Sequence, residues 1–354
     1  MKLIEYLKNA VDKKASDIYI GAGHKVSFKI HGLFVHQDDN IVTSEEAEQM
    51  VTSLYKMANR TMEHFHETGD DDFTISLQDV ARFRVSVCSQ QNTMVAIIRV
   101  VTFEIPNYVE LGISDEVMGA AFVKNGLVLV TGPAGCGKTT TLACVLNHVN
   151  KSRNCHIVTL EDPIEYLHKD NKSIITQREV SADTVSYVAA LRATLRQVPD
   201  IILVGEMRDL ETMRTAMTAA ETGHLVISTL HTSSAVHTID RIIDVFPPEQ
   251  QQQIRVQLSM VLKTVVSQIL LPGKDGRLLP AFEILHNNNA VQTLIREGKT
   301  HQINTLIQTS SNEGMITMDA SMLKLYKDGL ITSRTIIDHA TDSYQMALRL
   351  KEVS

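Results

Sequence analysis

The chain has 354 residues, 44% of them hydrophobic and 21% charged, with a formal net charge of −7, and this length suits two or three domains with sizeable cores. The acidic balance, without a prominent run of Lys or Arg, argues against a nucleic-acid channel, and no nucleic-acid partner is expected, because phosphate backbones are bound through clustered positive charge. The four cysteines form no C-x-x-C pair, and neither a signal peptide nor ~20 consecutive apolar residues is present, so we expect no zinc ribbon and no membrane span, and a reducing, cytoplasmic compartment.

Residues 1–100 have the pattern of a small α+β unit. Apolar residues recur at helical spacing from Met1 to Lys14, and a capping box at Thr43–Glu46 opens a second helix toward Met57. The irregular segment 103–112 is predicted to be a linker, so the N-terminal domain is predicted to cover residues 1–102. Strands of this domain are predicted at 17–20, 26–30, 72–77, 81–87 and 94–101.

Residues 113–285 alternate apolar strands with helices, which is the signature of a parallel α/β sheet. Residues 286–354 are predicted to form a helical C-terminal region. The predicted fold class is therefore α/β, with an α+β domain first and a helical extension last. Strands of the α/β core are predicted at 127–131, 156–160, 201–205 and 225–230.

A glycine-rich segment follows the first strand of the core and precedes a helix. It matches the pattern G-x-x-x-x-G-K-[ST] in the strand–loop–helix context of a nucleotide site, so ATP and Mg²⁺ are the predicted cofactors. Backbone N–H groups and the helix N-terminus would hold the phosphates, Lys138 would reach the β- and γ-phosphates, and the Thr139 hydroxyl would ligate Mg²⁺. The alternative is an ordinary glycine-rich turn. The predicted nucleotide-binding residues are Gly132, Pro133, Ala134, Gly135, Cys136, Gly137, Lys138, Thr139 and Thr140.

The predicted helix after this loop also affects the pKa expected for one cysteine. Cys136 stands next to the predicted helix N-terminus, and a thiol in that position is expected to have a lowered pKa.

Polar residues follow the other core strands, and ligands of open parallel sheets lie beyond the carboxyl ends of the strands. We predict that Glu206 orients the attacking water, that Glu161 supports Mg²⁺ or the water network, and that His231 contacts the γ-phosphate with His224 as its partner. The alternatives are a helix N-terminal carboxylate for Glu206, a turn residue for Glu161 and structural histidines. Weaker candidates are Asp162, Glu165 and Arg208, together with Arg192 and Arg196 on the predicted helix before strand 201–205.

Three arginines of the N-terminal unit suggest a second source of positive charge. Arg82 and Arg84 are two residues apart on a predicted strand and therefore share a face, and Arg99 lies on a nearby strand. If subunits form a ring, these side chains would act on a neighbour's ATP in the manner of an arginine finger. The alternative is a solvated, salt-bridged face.

Four motifs carry a family resemblance. They are Ala15-Ser-Asp-Ile18, the aspartate box Leu160–Glu165, the Walker B region Pro199–Asp209, in which Gly205 stands where an Asp usually precedes the Glu, and the histidine box Thr222–Thr232. With them the chain resembles the bacterial secretion ATPases of the type II secretion and type IV pilus class.

Within that class the chain is most similar to the PilT-like pilus-retraction ATPases. The phosphate loop begins as early as residue 132, and the chain lacks the four-cysteine zinc motif of extension and secretion relatives. The segment Ala290–Glu297 matches the retraction signature A-I-R-N-L-I-R-E in part: Val291, Gln292 and Thr293 depart from it.

The resemblance implies a homohexameric ring of subunits, each with an N-terminal PAS-like domain and a C-terminal RecA-like ATPase domain. ATP would lie between the two domains, with arginines of the N-terminal domain closing over it. Hydrolysis would turn an inner-membrane pilus platform protein so that pilin is withdrawn, while the ATPase stays peripheral on the cytoplasmic face. Three alternatives remain: a pilus-extension or type II secretion ATPase, a nucleotide-switched binding module with little turnover, and a DNA-translocating motor.

Overall fold

The computed structural model describes residues 2–30, 32–77, 80–101 and 104–353, and the chain divides into two compact units. The first unit comprises Met1–Glu104 with Glu165–Leu167, and the second comprises Ile105–Ile164 and His168–Ser354. The predicted limit between the N-terminal domain and the linker falls on Thr102 and Phe103, outside the described residues, and the domain limits stay a prediction. Over the described ranges, no helix is both long and apolar enough to cross a membrane.

The first unit is a six-stranded antiparallel sheet with three helices, ordered β3-β2-β1-β6-β5-β4. The predicted capping box is present: the Thr43 hydroxyl accepts from the Glu46 N–H, and the Glu46 carboxylate accepts from the Thr43 N–H. The elements are α1 Lys2–Asp12, β1 Asp17–Gly21, β2 Lys25–Ile30, β3 Leu33–Ile41, α2 Ser44–Met57, α3 Glu63–Thr68, β4 Asp70–Leu77, β5 Ala81–Gln90 and β6 Thr93–Val101.

Strand β3 was not predicted from the sequence. It is an edge strand, and nearly all of its residues are exposed on both faces, including Phe34 and Ile41. A strand without a buried face carries no alternating apolar pattern, so its sequence has no period-two signal to detect.

The second unit has a seven-stranded sheet ordered β13-β12-β7-β11-β10-β8-β9, in which β13 alone is antiparallel to its neighbour. Its strands are β7 Gly126–Thr131, β8 His156–Glu161, β9 Ile174–Glu179, β10 Ile201–Val204, β11 Leu225–Leu230, β12 Leu262–Pro272 and β13 Leu278–His286. Its helices are α4 Asp115–Met118, α5 Lys138–Ser152, α6 Tyr187–Thr194, α7 Leu210–Glu221, α8 Ala235–Asp244, α9 Pro248–Val261, α10 Asn289–Arg296, α11 Ile303–Thr309, α12 Met318–Lys327, α13 Ser333–His339 and α14 Ser343–Val353.

Both faces of this sheet are buried, which explains the continuous apolar runs in its central strands. In β7, Leu127 and Leu129 belong to one core, and Val128 and Val130 belong to the core on the opposite face. The four predicted core strands are confirmed as β7, β8, β10 and β11.

Strands β9, β12 and β13 were missed. The predicted helical character of the C-terminal region is confirmed, apart from one isolated bridge between Ile284 and Ile316.

Candidate functional site

The phosphate loop connects β7, which lies between β11 and β12, to α5. All three of its glycines have positive φ: 146° at Gly132, 76° at Gly135 and 87° at Gly137, the N-cap of α5. This conformation favours glycine because a Cβ is strained there. Gly132 also lacks space, since a Cβ on it would lie 2.2 Å from the carbonyl oxygen of Gln268. The loop therefore favours glycine at these three positions because of their backbone conformation, and at Gly132 also because no side chain fits.

Lys138 points back into the loop. Its Nζ donates to the carbonyl oxygens of Gly132 at 2.8 Å and Pro133 at 2.9 Å, and the residue is buried. An ammonium enclosed by the loop fits a phosphate, which would offer charged oxygens in place of neutral carbonyls. Thr139 and Thr140 follow in the first turn of α5 and are half-buried.

The described residues offer few side chains that could ligate Mg²⁺. Over the described residues, no cluster of three or more His, Cys, Asp or Glu side chains is arranged to hold a metal ion. Mg²⁺ in nucleotide sites keeps several waters and is held mainly by substrate phosphates with one or two protein oxygens. The Thr139 hydroxyl beside the loop is compatible with that coordination.

Glu206 and His231 are brought together. Residues 204 and 228 are paired in register on β10 and β11, so the residues beyond both strands meet at one sheet edge. His231 Nε2 lies 3.5 Å from Glu206 Oε2, and Arg208 Nε lies 2.6 Å from Glu206 Oε1. The Glu206 side chain is 15% exposed, against 76% for Arg208. Asp209, rather than Glu206, is the N-cap of the following helix α7, which argues against the helix-terminal explanation of Glu206.

Glu161 ends β8 and is buried. Its Oε1 accepts hydrogen bonds from the Thr159 hydroxyl at 2.6 Å and from Gln177 Nε2 at 3.1 Å. Three strand spacings separate β8 from β7, or roughly 14 Å at about 4.8 Å per spacing. That separation favours a part in the water network over direct ligation of an ion at Thr139.

Tyr187, at the start of α6, was missed by the sequence analysis. Its hydroxyl would lie 2.9 Å from a Cβ built on Gly205, so it occupies the space into which an Asp side chain would extend. Burial, followed by the charges of Asp162, Glu206 and Glu161, raises the pKa of Tyr187. The hydroxyl therefore stays protonated and able to donate a hydrogen bond close to three carboxylates.

His224 lies at the other end of β11 from His231. It precedes β11, and its carbonyl accepts from the N–H of Gly126 at the beginning of β7. A six-residue strand at ~3.3 Å per residue places it roughly 20 Å from His231, at the opposite edge of the sheet. Its Nδ1 lies 3.0 Å from the carbonyl oxygen of Ala219. Because the two residues flank opposite ends of β11, the structure does not bring His224 to His231, and a role for His224 at the nucleotide stays a prediction.

The weaker candidates do not gather at this edge as a group. Glu165 belongs to the first unit, with Tyr166 and Leu167. Arg192 pairs with Glu211 at 2.5 Å, and Arg196 Nη1 donates to the Arg192 carbonyl. Both arginines lie near or beyond the C-terminal end of α6, which leads to the beginning of β10 and so away from the phosphate loop.

Arg82, Arg84 and Arg99 share one face of the first unit's sheet. Arg84 and Arg99 are direct cross-strand partners on β5 and β6. Arg82 Nη2 donates to the Thr74 hydroxyl at 3.0 Å, and Arg99 Nε lies 3.1 Å from Asp17 Oδ1. The common face agrees with the expected strand geometry, and their action on a nucleotide stays a proposal.

The pKa expected for Cys136 is corrected. Burial raises the pKa of this thiol, and this effect outweighs the nearby Lys138 charge and the hydrogen bonds that lower it. The side chain is 3% exposed, so desolvation of the thiolate dominates over the helix N-terminus.

Comparisons with known proteins show which proteins this chain is similar to. A family model described as "Type II/IV secretion system protein" matches residues 1–346. The chain is 41% identical to the "Type IV pilus retractation ATPase PilT" of Pseudomonas aeruginosa over 94% of this chain and 96% of that protein. It is 42% identical to the "Twitching motility protein" of Neisseria gonorrhoeae over 90% of this chain and 85% of that protein.

A solved structure extends the likeness to three dimensions. The crystal structure of the pilus retraction motor PilT with bound ADP superposes with a TM-score of 0.89 at 43% identity and covers 98% of both chains. The likeness therefore extends over nearly the whole length of this chain.

Proposed function

The chain belongs to the type II/IV secretion system protein family, and from that premise we propose that it is a hexameric ATPase motor that powers type IV pilus retraction. The observation that carries the catalytic part is the arrangement of the phosphate loop, Glu206 and His231 at one edge of a parallel sheet. The direction of the motor is supported by the near full-length similarity to proteins named for pilus retraction and twitching motility.

The proposed chemistry assigns a role to each group at this edge. The loop N–H groups and Lys138 bind the phosphates, while Thr139 holds Mg²⁺, which would neutralise charge on the β- and γ-phosphates. Glu206 accepts a hydrogen bond from water and orients it, and His231 donates to the γ-phosphate. Arg208 contacts Oε1 of Glu206, and an ionised carboxylate has about four acceptor sites, so Glu206 can accept from a water while this contact stays in place.

Glu161 and Tyr187 complete the proposed water network. The hydroxyl of Thr159 and the amide of Gln177 fix Glu161 Oε1 and so orient the carboxylate. A protonated Tyr187 offers a donor at a place where carboxylates otherwise supply acceptors only. Together these residues would order water around the reacting phosphate.

The proposal also assigns a role to three arginines of the first unit and includes two partner proteins. Arg82, Arg84 and Arg99 would place positive charge on the nucleotide of a neighbouring subunit in the ring, as an arginine finger does. The ring would work at the cytoplasmic face of the inner membrane on a pilus platform protein, and through it on pilin.

The direction is tested by replacing the chromosomal gene with the Glu206→Gln variant. A retraction motor without turnover should leave cells with as many or more surface pili and abolish twitching. Glu211→Gln is the matched control, because it removes a carboxylate of an exposed ion pair near the beginning of α7, and it should twitch like wild type. Glu206→Gln cells that make no pili would contradict retraction and favour pilus extension.

A further inference from the structure

Gln268 lies at the loop but has no role in the proposed chemistry. It is on β12, directly after Ser267, which pairs in register with the last residue of β7, Thr131. It is 3% exposed and therefore buried under the phosphate loop. A buried amide must have its hydrogen bonds satisfied, since an unsatisfied one costs about 1–3 kcal/mol.

Both ends of the Gln268 amide are used by the nucleotide-binding segment. Nε2 donates to the carbonyl oxygen of Cys136 at 2.7 Å, and Oε1 accepts from the Thr141 hydroxyl at 2.8 Å. A carbonyl oxygen can only accept, so the orientation of the amide is fixed by its partners. One side chain thus connects the phosphate loop, the first turns of α5 and the neighbouring strand.

The contact with Cys136 has a directional consequence. In a trans peptide the C=O of one residue and the N–H of the next point in opposite directions. Holding the Cys136 carbonyl toward Gln268 therefore turns the N–H of Gly137 away from β12. Gly137 is the N-cap of α5, and N–H groups at a helix N-terminus are those that bind phosphate.

The main chain of Gln268 adds a second restraint. A Cβ built on Gly132 would lie 2.2 Å from the carbonyl oxygen of Gln268, so the first residue of the loop packs directly against β12. The side chain holds the end of the loop and the backbone supports its beginning.

We propose that Gln268 is a positioning residue for nucleotide binding, whose side-chain amide bridges the Cys136 carbonyl and the Thr141 hydroxyl and so holds the phosphate loop in its phosphate-binding conformation. The inference rests on the assignment of this loop as the nucleotide site. Gln268 acts through the loop and does not touch the nucleotide, so its loss should weaken binding more than it slows the reaction of bound ATP.

The test compares full-length wild type with Gln268→Met, which keeps the length of the side chain, and Gln268→Glu, which replaces the donor by an acceptor. Thr264→Val is the matched control, because it removes one part-buried hydrogen bond, to His286, from a residue near the beginning of the same strand. The measurements are the Kd for ADP with Mg²⁺ by calorimetry, KM and kcat for ATP, and the Tm without nucleotide.

Both Gln268 variants should weaken ADP binding and raise KM on the order of tenfold, with kcat at saturating ATP changed less than about threefold. Thr264→Val should match wild type in both constants. ADP affinity and KM within about twofold of wild type in Gln268→Met would overturn the inference, as would an equal loss in Thr264→Val. A wild type that binds no ADP would overturn the nucleotide assignment and this inference with it.

Thr141→Val provides a second route if the Gln268 variants do not fold. It leaves Gln268 in place and removes only the partner of Oε1. ADP affinity should then fall about threefold, and unchanged affinity would contradict the proposed bridge.

Discussion

Two glycines of the phosphate loop differ in what surrounds them. Gly132 and Gly135 both have positive φ, but a Cβ on Gly135 would meet no atom within 4 Å, whereas on Gly132 it would collide with Gln268. Conformational strain and steric overlap can therefore be separated within a single loop.

We expect Gly132→Ala to lower the free energy of unfolding by about 3 kcal/mol or more, because a backbone carbonyl cannot move aside cheaply. Gly135→Ala should cost only about 1 kcal/mol, from φ alone. Urea unfolding followed by circular dichroism measures both, since the chain has no Trp. Equal losses in the two variants would show that the contact with Gln268 does not determine the loop.

The sequence predicted those site residues that belong to a local pattern or directly follow a buried strand. Lys138 and Thr139 belong to such a pattern, and Glu206 and His231 follow strands that the register brings side by side. Gln268 could not be predicted, because it contacts a loop 132 residues away in the chain. Tyr187 belongs to no recognisable motif, and its place beside Gly205 becomes visible only in the folded structure.

At the scale of single elements, the beginning of α7 fixes the turn that carries Glu206. Asp209 is the N-cap, and its carboxylate accepts from the N–H groups of Glu211 and Thr212 and from the Thr212 hydroxyl. Burial raises the pKa of Asp209, but these hydrogen bonds outweigh it and hold the pKa below its ordinary value. The cap is therefore ionised at neutral pH and is favoured by the helix dipole.

Replacing this cap should destabilise the helix and displace the turn before it. Asp209→Ala is expected to lower the free energy of unfolding by about 1–2 kcal/mol, whereas Asp209→Asn, which retains a capping oxygen, should stay within about 0.5 kcal/mol of wild type. Chemical denaturation of the three proteins measures this. Loss of stability in Asp209→Asn as large as in Asp209→Ala would mean that the charge, and not the capping geometry, holds the helix.

Strands could be predicted from the sequence where burial imposes a regular pattern of apolar residues. Strand β7 is buried on both faces, and the apolar run in its sequence reflects this. Strand β3 is exposed on both faces and, after Leu33, Phe34 and Val35, is mostly polar, so neither alternation nor a continuous apolar run marks its length. His224 and His231 flank the predicted strand 225–230, and the two ends of a strand lie at opposite edges of its sheet, so the sequence alone already separates them.

At the scale of the whole molecule, the proposed motor needs more than one copy of the chain. The second unit carries the phosphate loop and the carboxylates, while Arg82, Arg84 and Arg99 belong to the first unit. In a homohexamer each nucleotide would be completed by the arginines of a neighbouring subunit. Turnover should therefore depend on assembly.

The most direct test measures ATP turnover and native mass on the same samples of wild type and Glu206→Gln, with Glu211→Gln as the control. We predict Mg²⁺-dependent hydrolysis by a wild-type hexamer, an equally assembled and active control, and a Glu206→Gln hexamer that binds ATP but loses at least about 100-fold in kcat. A wild type that binds ATP as a monomer without turnover, or a Glu206→Gln protein that hydrolyses ATP at the wild-type rate, would contradict the account.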